Sequence, residues 1–220
     1  MLITGFPTGM IQANCYVVAP RAGSAAVVID PGQNAVPKLR RVLADDRLTP
    51  AAVLLTHGHL DHIWTAQKVC DEFGVPAYIH PGDRSMLSDP IRGFGPRVGQ
   101  ILFGALFHEP KQVVEIGDGD KLELAETTVL VEHTPGHTRG SVCFRIAADD
   151  GDVVFTGDTL FHGSVGRTDL PGGSGRDLLG SIVEKLLVLD DDTVVLPGHG
   201  DASTIGAERR ANPFLEGLTP

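Results

Sequence analysis

The stretch Thr56-His57-Gly58-His59-Leu60-Asp61-His62 constrains this chain more than any other. Three imidazoles and one carboxylate crowd into positions 57 to 62. They follow Ala51-Ala52-Val53-Leu54-Leu55, a short apolar run bounded by Pro50 that reads as a buried strand. Side chains two apart in extended chain share a face, so His57 and His59 are expected to point the same way, with Gly58 leaving room between them. From Asp61 onward Ile63, Ala66, Val69 and Phe73 recur at helical spacing. Asp61 and His62 therefore fall at a strand-to-helix junction and can turn toward a second centre. Two ligand pairs on one loop predict two neighbouring cations. The plainer alternative, solvent-facing histidines on a loop, suits one or two such residues far better than four ligand types behind a buried strand.

Three later turns each follow a predicted strand, and each offers one more ligand: Thr134-Pro135-Gly136-His137-Thr138, Thr156-Gly157-Asp158-Thr159 and Leu196-Pro197-Gly198-His199-Gly200. A glycine beside each candidate lets backbone approach closely, as a crowded metal site requires. Any one of these turns alone would be commonplace. Their succession after the histidine loop is not.

Composition narrows the remaining classes. With 220 residues, 42% apolar and 21% charged, the chain suits one globular domain over residues 1–220 with a full core. A net charge of -10 argues against nucleic acid as a partner, which would need clustered Lys and Arg. Cys15, Cys70 and Cys143 are few, scattered and odd in number, so neither a disulfide framework nor a cysteine zinc site is suggested. Reduced thiols fit a cytoplasmic protein. The N-terminus carries no charge before Arg21, and Gly5, Pro7, Gly9, Gln12 and Asn14 interrupt its apolar residues, so neither a signal peptide nor a membrane span is expected. Oligomeric state is not readable.

In chain order, Asn14 to Ala19 and Ala25 to Ile29 read as a β-hairpin turning at Pro20-Arg21-Ala22-Gly23, and Asp30-Pro31-Gly32 as a sharp turn. Val36, Leu39 and Leu43 mark one face of a helix. Val75 to Ile79 is a short strand. The glycine-rich, apolar stretch 83–110 reads as a flap over a pocket or as core packing. Strands are expected at Gln112 to Ile116, Lys121 to Leu124, Thr128 to Glu132, Val142 to Ile146, Val153 to Thr156 and Thr193 to Leu196. Ser174 to Asp177 has a capping-box pattern ahead of a wide apolar stripe from Leu178 to Leu187, and Ile205 to Ala211 reads as a closing helix. Strands followed by helices, twice over, predict two sheets face to face with helices outside.

With these motifs in place, the chain resembles the metallo-β-lactamase-fold hydrolases and, within them, the glyoxalase II-like branch. The resemblance runs from Asn14-Cys15-Tyr16 and Asp30-Pro31-Gly32 through the histidine loop and the three ligand turns. It continues through Gly157-Asp158-Thr159-Leu160-Phe161 and Gly166-Arg167-Thr168-Asp169 to Asn212-Pro213-Phe214-Leu215. It implies an α+β fold, an αββα sandwich of two mixed β-sheets with helices on the outer faces. It also implies that His57, His59 and His137 hold one metal, Asp61, His62 and His199 the other, and that Asp158 bridges them. Aspartate at that bridging place, where many β-lactamases use cysteine, speaks against antibiotic hydrolysis.

Imidazole and carboxylate ligands without thiolate suit two divalent ions, zinc first, with iron or manganese also compatible. The reaction this implies is attack of metal-bound hydroxide on a carbonyl carbon, with Asp61 orienting the water and taking its proton. The expected substrate is a small-molecule thioester or ester, a 2-hydroxyacyl thiol conjugate foremost. Full-length glyoxalase II enzymes add a C-terminal helical extension for glutathione that has no counterpart after Leu215, so another thiol, ester or lactone is also open. Persulfide dioxygenases, which resemble this chain while using a single iron on His, His and Asp, are the alternative. Outside the ligand set, His133 is expected to pack near the site or support a ligand, and Arg167 with Asp169 to form a buried ion pair shaping the loop after Asp158.

Overall fold

The alternation of apolar residues along each strand decides what the sheets face. In the computed structural model, which describes residues 1–90, 107–148 and 151–219, β2 (Ala13–Ala19), β3 (Ala25–Ile29) and β4 (Thr49–Leu54) are buried on both faces. Val17, Val28 and Val53 point one way, into a core shared with the helices α1 (Ala35–Asp45) and α3 (Ala66–Phe73). Tyr16, Val18, Val27, Ile29 and Leu54 point the other way, into a second core completed by Val129, Val131, Phe144, Ile146 and Phe155 of the opposing sheet. A third core lies beyond that sheet, where Val154 and Val195 meet Leu178, Ile182, Leu186 and Ile205. Helix, sheet, sheet, helix is thus the layer order, the αββα sandwich expected from the sequence.

Among the described residues both sheets are six-stranded and mixed. The first runs β1 (Leu2–Thr8), β2, β3, β4, β5 (Ala77–Ile79) and β6 (Val113–Glu115), antiparallel as far as β3 and parallel thereafter. The second is built from β7 (Lys121–Leu124), β8 (Thr127–His133), β9 (Val142–Ile146), β10 (Val153–Gly157), β13 (Val194–Pro197) and β14 (Ser203–Thr204), with β10 and β13 its parallel pair. A small hairpin, β11 (Leu160–Phe161) with β12 (Ser164–Val165), stands apart. Pro50 lies inside β4 rather than bounding it. It pairs with Ala26 at a bulge, after which Val27 pairs with Ala52, so the missing N–H falls where the ladder is already irregular.

Three further departures have local causes. The strand β1 was hidden by Gly5 and Pro7, residues a central strand avoids but this sheet edge tolerates. The helix expected after Asp61 is broken into α2 (Leu60–Ile63) and α3, because Thr65 donates its hydroxyl to the Pro31 and Gly32 carbonyls, 3.0 Å each, and so ties the chain to the Asp30-Pro31-Gly32 turn. The helix after the Ser174 cap, α5 (Gly175–Ser181), widens at Ile182–Leu186 into a π turn, with Leu187 N–H reaching the Ile182 carbonyl at 2.8 Å. Of the stretch 83–110, residues 91–106 lie outside the described residues. What precedes them is α4 (Pro81–Arg84) and a 3-10 turn whose Met86 and Leu87 are buried. Among the described residues no helix is long and apolar enough to cross a membrane.

Candidate metal centre

Every candidate ligand comes from a chain segment leaving the C-terminal end of a strand. His57, His59, Asp61 and His62 follow β4, His137 follows β8, Asp158 follows β10 and His199 follows β13. Because β4 belongs to one sheet and the other three strands to the opposite sheet, the ligands meet at one edge of the sandwich. Residues of β2 hold that edge shut. Asn14 N–H donates to the Gly198 carbonyl at 2.7 Å, its amide donates to the Pro197 and Gly200 carbonyls at 3.0 and 2.9 Å, and the Tyr16 hydroxyl donates to Pro197 at 2.7 Å. The loop carrying His199 is therefore positioned from the far side of the chain.

All seven residues expected from the sequence converge. One ligand atom each from His57, His59 and His137 can lie within 4.8 Å of the others, as can one each from Asp61, His62 and His199. Asp158 sits between the sets. Its carboxylate lies 3.3 Å from His62 Nε2 and 3.7 Å from His199 Nε2 on one side, and 3.5 Å from His137 Nε2 on the other. Gly198 makes this approach possible, since a Cβ there would fall 2.2 Å from Asp158 Oδ1.

The ring nitrogens are aimed inward by outer partners. His62 Nδ1 is held by Asp30 at 3.0 Å, which turns Nε2 toward His199, Asp61 and Asp158. Asp30 also accepts from Thr56 N–H and the Thr56 hydroxyl, at 2.8 and 2.6 Å, and Thr56 Oγ1 lies 3.1 Å from His57 Nδ1. His137 Nδ1 is 2.7 Å from the Arg167 carbonyl and donates to it, leaving Nε2 facing the cluster. A third possible grouping of Asp30, His57 and His62 exists, but the Asp30 oxygens are already committed to Thr56 and His62.

The donor set fits bound cations. His57 Nε2 is buried with no hydrogen-bond partner. His59 Nδ1 and His137 Nε2 approach to 2.8 Å, and His62 Nε2 and His199 Nε2 to 3.2 Å, so pairs of nitrogens converge on common points. Burial, then the neighbouring imidazoles, pushes His57 well below the ordinary range, and burial with His137 pushes His59 down to about 4. Both are neutral at pH 7 and ready to bind a metal. For His62 burial acts downward but is outweighed by Asp158 and Asp30, which hold it well above its usual value. For His199 burial again acts downward, and the Asp61 hydrogen bond with the Asp158 charge outweighs it, so His199 too is raised. Asp61 lies below the usual carboxylate range, its burial overridden by His199 and His62.

One expectation changes, and another narrows to the packing half of its two alternatives. Arg167 and Asp169 do form a bidentate pair at 2.7 Å, but it is exposed, 62% and 68% of each side chain, because the loop after β12 carries it outward into solvent. His133 supports no candidate ligand. It stacks on His80, centroids 4.0 Å apart, and its Nε2 meets the Arg139 carbonyl at 3.0 Å. The residues that do support ligands, Asp30, Thr56 and the Asn14 clamp, stand in turns and strands whose sequence shows only ordinary turn or strand character. The Asp30 backbone at φ 48 marks it as unusual only once folded.

Two sheets closing on seven convergent imidazoles and carboxylates define a metal-binding αββα protein, and residues 8–199 match the metallo-beta-lactamase superfamily, to which the chain belongs. It is 71% identical to an uncharacterised protein of Mycobacterium leprae over 99% of this chain and 100% of that one. It is 37% identical to the hydroxyacylglutathione hydrolase GloC of Haemophilus influenzae, over 98% of each chain. Among solved structures it is similar to the BLEG-1 B3 metallo-beta-lactamase (TM-score 0.84, 38% identity, 98% of this chain and 100% of that one). It is also similar to TTHA1623 in a di-iron-bound form (TM-score 0.79, 35% identity, 96% and 100%).

Proposed function

We propose that this chain is a binuclear metal-dependent hydrolase that cleaves a thioester, with a 2-hydroxyacyl thiol conjugate as the foremost substrate. The observation that carries the reading is the Asp158 carboxylate interposed between two three-residue sets, within 3.5 Å of His137 and 3.3 Å of His62. His57, His59 and His137 would hold one ion, Asp61, His62 and His199 the other, with Asp158 shared. Bound there, a pair of divalent ions lowers the pKa of water and polarises a carbonyl group. Zinc, iron and manganese all suit these donors.

The chain's own residues supply the rest. Asp61, below the usual carboxylate range, keeps its oxygens free of protons at neutral pH, and it faces the cleft with Oδ2 3.2 Å from His199 Nε2. It is the group we assign to orient water and accept its proton. Ile11, Phe161, Val165 and Leu170 give the cleft, of about 340 Å³, an apolar wall that excludes water from an acyl chain. Arg167 is the cation on that wall. Support for the thioester comes from the GloC relative, named a hydroxyacylglutathione hydrolase. The B3 metallo-beta-lactamase neighbour places a β-lactam amide in the panel of bonds to be tried despite the aspartate at position 158.

The deciding experiment is elemental analysis of protein purified without added metal, followed by turnover of a 2-hydroxyacyl-glutathione, simple esters, lactones and a β-lactam. Two ions per chain with preferential thioester cleavage is the expected result. One iron per chain, with oxygen uptake in the presence of a persulfide, would replace this reading by the persulfide dioxygenase alternative. A metal-loaded protein that cleaves none of the panel would overturn hydrolysis.

A further inference from the structure

Asp83 has no part in the chemistry described so far, yet it is fully buried, at 0% exposure, between the two loops that supply the all-imidazole cluster. One carboxylate oxygen, Oδ2, accepts from Gly58 N–H at 2.8 Å, and Gly58 is the residue between His57 and His59. The same oxygen accepts from the Thr138 hydroxyl at 2.6 Å, and Thr138 directly follows His137. Oδ1 accepts from Gly140 N–H at 2.9 Å. Three donors from two loops thus end on one side chain. Among the described residues no lysine or arginine pairs with it, so its charge is met by hydrogen bonds alone.

The fit is close on every side. A Cβ at Gly140 would lie 2.6 Å from Asp83 N and 2.7 Å from Asp83 Cγ, so the His137 loop must carry glycine there to wrap the carboxylate. Asp83 itself is fixed by α4, whose N-terminus is capped by His80 Nδ1 accepting from Gly82 N–H at 3.1 Å. Thr138 is braced in turn by Ser141, hydroxyl to hydroxyl at 2.7 Å. A carboxylate suits this place because it accepts at every lone pair. An amide would set N–H against one of the donors.

We infer that Asp83 is a positioning residue, which fixes the spacing between the His57-His59 loop and the His137 loop and so presets the first metal pocket before any ion binds. The inference rests on the two-metal reading. Asp83 ties the two loops of the histidine trio to each other, whereas Asp30 holds His62 and, through Thr56, His57, and the Asn14 clamp holds the His199 loop. Outer-shell partners of metal ligands typically change affinity by roughly 10–100-fold when removed.

The test is titration of the metal-stripped full chain with Zn²⁺ against a chromophoric chelator, comparing wild type with Asp83→Asn. A His199→Ala background isolates the first pocket. The expected result is a loss of roughly 10–100-fold in Zn²⁺ affinity for that pocket, with the second step changed far less. Thr138→Val, which deletes one donor and leaves the carboxylate, should give a smaller loss of the same kind, and Thr138→Ser should restore it. Thr138→Val also decides the matter if Asp83→Asn does not fold. Unchanged affinity, or equal weakening of both steps alongside a lower melting temperature, would overturn the inference and leave the two-metal reading standing. Wild-type protein that takes up no Zn²⁺ would remove both.

Discussion

The two halves of the centre are built on opposite principles. His57, His59 and His137 are 1%, 4% and 2% exposed, and their ligand atoms are all imidazole nitrogens. The side chains of Asp61 and His199 keep 19% and 23% exposure, and with His62 and Asp158 they form a cluster of opposite charges. In the first half desolvation wins, so His57 and His59 sit uncharged. In the second half carboxylates win over the same desolvation, so His62 and His199 are raised. A cation entering the first pocket displaces no proton from His57 or His59. One entering the second should meet protons that Asp158, Asp30 and Asp61 favour on His62 and His199.

The largest effect should come from removing the one group common to both halves. Asp158→Ala should lower metal affinity at both positions by more than the roughly 10–100-fold typical of outer-shell changes, and take turnover with it. Chelator competition measures this, and loss at only one position would break the bridging role. His199→Ala comes next. It should reduce bound metal from two ions to one while sparing the histidine trio, and complete loss would show instead that the halves assemble as a unit.

The pH dependence sharpens the contrast without any mutation. His62 and His199 have raised values, so they are protonated below them and lose the proton as pH rises. Uptake of the second ion should therefore release protons and weaken as pH falls. His59, lowered to about 4, stays neutral through the same range, so the first ion should persist to lower pH. Pot-metric proton counting during stepwise Zn²⁺ addition checks both statements. The smallest effect belongs to Asp169→Asn. Loss of its exposed, solvent-screened pair with Arg167 should leave stability, read by urea denaturation, essentially unchanged, while freeing Arg167 to alter KM.

How much of this was legible in the sequence depended on whether a residue's role is periodic. The hairpin at 14–29 and the buried face Val36, Leu39, Leu43 follow from spacing, and the structure has both. The layer order followed as well, since alternation along the strands assigns each face to a core. The convergence of the candidate ligands was legible because His57, His59, Asp61 and His62 share one loop and the other three stand beside glycines at strand ends. The helix break at Thr65 was not, because its cause is a pair of hydrogen bonds to residues 31 and 32. The roles of Asp30 and Asp83 were not legible either, although Asp30 stands in one of the motifs that carry the resemblance. Next to Pro-Gly or within Pro-Gly-Asp, a carboxylate reads as turn chemistry, and only the folded chain shows which donors it collects.

The Asn14 clamp has a bearing on how such a molecule comes into being. Its amide reaches the Pro197 carbonyl across 183 positions of sequence, and closing so long a span requires both sheets to have docked first. A chain in which β13 and the turn after it have not yet docked would lack the loop that brings His199 to the cluster. On the two-metal proposal, capture of the second ion would therefore wait for that closure.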